Sequence, residues 1–115
     1  MAMDIRLVQA NEELSNIAFE KGCDSEEYKA ARLDWLEVFK AVAEERGEPV
    51  IAWENPYDAI MDFIHLSPDP ERIEHALAEF KQMIDALASI EYINLGEWRA
   101  NYYECLAAFA ATRKE

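Results

Sequence analysis

The chain has 115 residues, 51% of them hydrophobic, and 24 Asp and Glu stand against 11 Lys and Arg for a net charge of -13. That hydrophobic share excludes a disordered chain, which needs low hydrophobicity as well as high charge. The charge excludes direct binding to DNA or RNA, since nothing resembles a basic patch. No apolar run approaches the ~20 residues that span a bilayer, and Met1–Leu7 lacks the basic start and apolar stretch of a secretory signal. The expectation is a cytoplasmic protein with no membrane association, a single domain over residues 1–115.

The hydrophobic period is helical nearly everywhere, and few Gly among many Ala favour helix over sheet. A first helix is predicted from about Asp4 to Lys21, with Leu7, Ala10, Leu14, Ile17 and Ala18 on one stripe and Gly22 as its C-terminal cap. Asp24 is expected to cap the second helix, with Glu27 as the reciprocal half of a capping box. That helix carries Tyr28, Ala31, Trp35, Phe39 and Val42, and Gly47 and Pro49 end it. Asn55 and Pro56 announce a third, short helix with Tyr57, Ile60, Met61 and Ile64 as its apolar face.

Ser67-Pro68-Asp69-Pro70 breaks that helix and starts the fourth, whose stripe is Ile73, Leu77, Phe80, Ile84 and Leu87. Asn94 and Glu97 form a further capping box, and the fifth helix follows with Trp98, Tyr102, Cys105 and Phe109. Connections this short place consecutive helices as antiparallel neighbours. The fold class is therefore all-α, a compact antiparallel bundle of about five helices, with Trp35, Phe39, Leu77, Phe80, Ile84 and Phe109 in the core.

Chemistry finds little to stand on. Cys23 and Cys105 belong to no C-x-x-C pair and read as free thiols in a reducing compartment. Carboxylate-bridged metal bundles need Glu-x-x-His motifs, but Asp62 lies three before His65 and Glu71 four before His75. Helical nucleotide pyrophosphohydrolases hold magnesium through a Glu-x-x-Glu followed by a Glu-x-x-Asp. Glu71 and Glu74 supply the first half, and no Glu-x-x-Asp exists in the chain. There is no Gly-flanked nucleophile elbow and no Gly-rich phosphate loop. The reading is a non-enzymatic protein with no catalytic residues, no metal and no cofactor.

A domain of this size needs a net charge of only about 2–8 for solubility, and the excess implies a use, most simply attraction to a positively charged partner. Residues 44–104 hold most of it, with 14 acids against 4 bases. Glu54, Asp58 and Asp62 recur every four residues and so line one side of the third helix. Glu71, Glu74 and Glu79 lie off the Ile73–Leu77–Phe80 stripe and are expected on the solvent side of the fourth. Rows of carboxylates a turn apart resemble the charge density of a phosphate backbone. Between the helices, Val50-Ile51-Ala52-Trp53 is apolar but too short for a helix. It reads either as a plug in the end of the bundle or as an aromatic anchor for a partner, with Tyr57 its companion.

In size, acidity and helicity the whole chain is similar to small acidic helical antagonists: phage-encoded anti-CRISPR and anti-restriction proteins, and bacteriocin immunity proteins. The resemblance carries no site residues with it. It implies an inhibitor that occupies a basic nucleic-acid-handling surface, a nuclease or other nucleic-acid-binding protein. The acidic rows and the apolar segment themselves offer Trp53, Glu54, Tyr57, Asp58, Asp62, Glu71, Glu74 and Glu79 as its contact residues. The alternative is a helical assembly or adaptor subunit bound through apolar faces. A monomer or small homodimer is expected, with the stripe of the first helix and the 50–53 segment as the surface that one domain leaves uncovered.

Overall fold

Local signals for helix ends are met at Asp4, Gly22 and Asp69. In the computed structural model, which describes residues 4–46, 56–66 and 69–112, the chain forms α1 (Ile5–Lys21), α2 (Glu26–Arg46), α3 (Tyr57–Leu66), α4 (Pro70–Ser89) and α5 (Leu95–Thr112). The signals at Gly47, Pro49, Asn55, Ser67 and Pro68 lie outside the described residues. No strand occurs among the described residues. Asp4 caps α1 by accepting from the Arg6 N–H at 3.0 Å. Gly22 closes the helix at φ +91°, a conformation only Gly adopts without strain, and its N–H reaches the Ala18 carbonyl at 3.0 Å. Asp69 caps α4 through the Arg72 N–H, with Pro70 in the first turn where its missing donor is harmless.

The start of α2 differs from expectation. Its cap is Ser25, not Asp24: the Ser25 hydroxyl accepts from the Tyr28 N–H at 3.1 Å and donates to the Gly22 carbonyl at 2.8 Å. Ser25 therefore locks the α1–α2 turn from both sides, and Glu27 is one position out of register for a reciprocal box.

At the α4–α5 turn the chain forms a Schellman motif. The Tyr92 N–H reaches the Leu87 carbonyl at 3.2 Å and the Glu91 N–H the Ala88 carbonyl at 3.1 Å. Glu91 takes φ +52°, the left-handed position usually given to Gly.

The stripes meet in one core. Tyr28, Trp35, Phe39, Leu77, Phe80, Ile84, Trp98, Cys105 and Phe109 are all buried. Trp98 is the hub, with ring centroids 6.2 Å from Trp35, 5.7 Å from Phe39 and 5.8 Å from Phe80, mostly edge to face. The stripe of α1 is also covered: Leu7, Leu14 and Ala18 are buried, so it is not the uncovered surface anticipated above.

α4 is the central helix. It packs against α1, α2, α3 and α5. α3 does not follow the rule of consecutive neighbours: it packs against α5 and α4 rather than against α2. α1 and α3 thus both lie on α4, and the space between them is a groove.

Candidate functional site

Helix α4 floors this groove with Arg72, His75, Ala76 and Glu79; α1 contributes Val8, Asn11, Glu12, Ser15, Asn16 and Ala18 to one wall, and Pro56, Asp58, Ala59 and Phe63 form the other. Its volume of about 540 Å³ falls in the range of roughly 300–1,000 Å³ typical of small-molecule sites. Most of its lining surface is apolar, although eight of the fourteen lining residues carry polar or charged side chains, three of them on the floor.

One of these floor residues is Glu79, and its position corrects the sequence reading. It was expected on the solvent side of α4 with Glu71 and Glu74, yet it is 3% exposed. The cause is the central place of α4. Besides the Ile73–Leu77–Phe80 stripe, a second row of Ala76, Met83, Ala86 and Ile90 packs against the core, and Glu79 falls within that row.

Glu79 is held from two sides. The Ser15 hydroxyl donates to its Oε1 at 2.9 Å, and the Tyr28 hydroxyl donates to its backbone carbonyl at 3.4 Å. No second hydrogen bond to the carboxylate is found among the described residues, and Glu79 lines the groove. Burial disfavours the charged form and pushes the carboxyl up to about 8, with the Ser15 hydrogen bond acting weakly the other way. At neutral pH the floor of the groove is therefore a largely protonated carboxylic acid.

One end of the groove is closed by Arg72. Its guanidinium lies 5.0 Å from the ring centre of Phe19 on α1 and 5.1 Å from that of Phe63 on α3, so one cation ties the two walls together. His75 stands edge-on to Phe19 at 5.9 Å. Asn11 is oriented by Trp35, whose Nε1 donates to its Oδ1 at 2.5 Å.

The remaining proposed contact residues are spread around this centre. Asp58 is exposed on the α3 wall, Asp62 is exposed one turn further along α3, and Glu71 is exposed on the first turn of α4. Glu74 is exposed beside a shallow depression formed with Lys21, Asp24 and His75. Tyr57 is half-buried, and its hydroxyl donates to the Glu104 carboxylate of α5, which pushes the phenol up to about 12. Trp53 and Glu54 lie outside the described residues, as does the whole 50–53 segment. Of the six that are described, Asp58 and Glu79 share the groove.

Sequence reasoning missed Ser15, Arg72, His75 and Phe63, whose signal is only that they flank apolar stripes. Both cysteines are free thiols; burial pushes Cys23 and Cys105 each up to about 11, so neither is an activated nucleophile. Among the described residues no three His, Cys, Asp or Glu side chains come together as a metal site, and no helix is long and apolar enough to cross a membrane. No protein-family model, curated protein or solved structure matches the chain.

Proposed function

We propose that this chain is a small acidic binding protein, without catalysis of its own, that blocks a basic nucleic-acid-handling surface of a target protein. It would act as phage-type anti-CRISPR or anti-restriction inhibitors do. The observation that carries the reading is that most exposed carboxylates, those of α3 and the start of α4 among them, have no ion pair with a described residue. Glu12, Glu13, Asp34 and Glu37 on α1 and α2 also have none. Ion pairs engage Asp4, Glu26 and Glu45, on the α1 and α2 side of the molecule. Asp58, Asp62 and Glu71 stand exposed on α3 and α4. Fixed carboxylates at one-turn spacing, about 5–6 Å apart, attract a groove built for phosphates and raise the association rate more than the lifetime of the complex.

The assembly-subunit alternative has less support. The exposed large apolar residues Ile5, Phe19, Leu33, Leu66, Ile93 and Tyr103 are distributed over four helices and a turn, as scattered surface apolar groups commonly are. The test is capture of a target from bacterial lysate with wild type and with the triple reversal Asp58→Lys, Asp62→Lys, Glu71→Lys. A nucleic-acid-binding target is expected, released as salt rises because exposed charges are screened within about 8–10 Å, and lost with the reversal. A partner held equally at low and high salt, and by both proteins, contradicts the reading.

A further inference from the structure

We infer that the groove between α1, α3 and α4 receives a primary alkylammonium group, the end of a lysine side chain of the basic partner, with the unoccupied oxygen of Glu79 as its acceptor. This rests on the proposed engagement of a basic partner and says what one of its side chains does. Four features of the groove carry it.

The depth of Glu79 comes first. It is 3% exposed at the floor of a groove whose walls include Val8, Ala18, Ala59 and Phe63. A carboxyl so placed is reached by a slender apolar stem with a polar tip, which is the shape of lysine. Second, Ser15 occupies Oε1 and leaves a single oxygen without a hydrogen bond among the described residues, on a side chain that lines the groove. A guanidinium gains its advantage from two parallel hydrogen bonds to one carboxylate. With one oxygen taken, a compact ammonium fits better than the planar fork of arginine.

Charge supplies the third feature. Glu12 and Asp58 stand on the two walls, and the molecule as a whole carries -13, so a cation is drawn in and an anion repelled. The basic side chains that face the groove, Arg72 and His75, are on α4. Arg72 is engaged by Phe19 and Phe63 and stands two turns from Glu79, and His75 stands one turn away and edge-on to Phe19. Behind Glu79 lie Tyr28 and Cys23, both pushed upward chiefly by burial and further by the Glu79 charge.

The fourth is linkage. Glu79 holds its proton to about pH 8, so an ammonium that needs the carboxylate must displace that proton. Binding then tightens as pH rises, while an alkylamine remains protonated to about pH 10.

The experiment uses the whole chain and pentylamine, which reproduces the lysine side chain together with its Cα. Amide shifts of Ser15, Ala59 and Ala76 are followed by NMR at pH 6.5 and 9.0. Expected is saturable binding that tightens about tenfold or more between the two pH values, with pentan-1-ol binding weakly at both. Glu79→Gln, which keeps an acceptor for Ser15, is expected to abolish the pH dependence and weaken binding at pH 9.0.

Equal binding of amine and alcohol, pH-independent binding, or pentylammonium affinity unchanged in Glu79→Gln overturns the inference. An acetylated and amidated Ala-Ala-Lys-Ala-Ala peptide separates the sources. Binding of the peptide at the same amides supports a partner's lysine, and exclusion of the peptide while pentylamine binds overturns that assignment in favour of a free amine. Asp62→Lys with Glu71→Lys, both off the groove lining, separates the two proposals. These reversals should release the basic target yet leave pentylammonium affinity within about threefold, since distant exposed charges are screened. Loss of the target without loss of the probe bears on the surface, and the converse on the groove.

Discussion

Asp62 and Glu79 are both carboxylates near the middle of helices, and they live in opposite worlds. Asp62 is exposed on the outer side of α3, where water hydrates its charge. Glu79 sits in a row of packed residues on α4, with one oxygen on Ser15 and the side chain at the floor of a groove. The pair teaches that net charge alone does not describe an acidic protein. The outer carboxylates act as charges and shape the field around the molecule; Glu79 is held as a neutral acid whose ionisation is available to a ligand.

The largest expected effect breaks the comparison by reversal. Glu79→Lys leaves a buried charge without a partner and is expected to destabilise the fold by about 3–5 kcal/mol. Asp62→Lys is expected to change stability by less than about 0.5 kcal/mol, as exposed positions do. Urea denaturation of both variants makes the measurement, and similar losses would erase the distinction.

Next comes Glu79→Gln, whose effect depends on pH. The carboxyl is pushed up to about 8 in the folded protein, against about 4.3 in an unfolded chain. Between those values the unfolded chain has lost the proton and the native state still holds it, so this group lowers stability as pH rises. Relative to wild type, Glu79→Gln is expected to be about equally stable at pH 4.5 and roughly 4 kcal/mol more stable at pH 8.5. The difference between the two proteins isolates Glu79 from the other carboxylates.

Ser15→Ala sharpens the account of what holds the acid. Removing the 2.9 Å hydrogen bond is expected to destabilise by about 1 kcal/mol and to raise the Glu79 midpoint, since that bond favours the ionised form. The smallest effect concerns an acid placed by its backbone. Glu91 occupies a left-handed position at φ +52°, and Glu91→Gly is expected to stabilise the α4–α5 turn by up to about 1 kcal/mol in thermal unfolding.

Most of the helical plan was legible because caps and apolar periods are local. Asp4 with Gly22, and Asp69 with Pro70, mark the ends where the structure places them. The start of α2 was misread by one residue because Asp24 and Ser25 are both good caps. The choice rests on a hydroxyl that reaches Gly22 and Tyr28 together.

Glu79 was misplaced for a different reason. A single-stripe reading assumes that a helix buries one face, whereas α4 touches four other helices and buries two. The second row, Ala76, Met83, Ala86 and Ile90, was present in the sequence, but small and flexible residues give a weak period. The position of α3 against α5 and α4, which opens the groove, follows from packing between distant parts of the chain. No local signal encodes it.

The difference between the two kinds of acid is tested most directly by titrating the Glu79 carboxyl carbon by NMR in selectively labelled protein. A midpoint near 8 is expected, with its resonance absent from the spectrum of Glu79→Gln. A midpoint in the ordinary range, about 4–5, would mean that Glu79 is hydrated like the outer carboxylates, and the groove would lose the neutral acid at its floor.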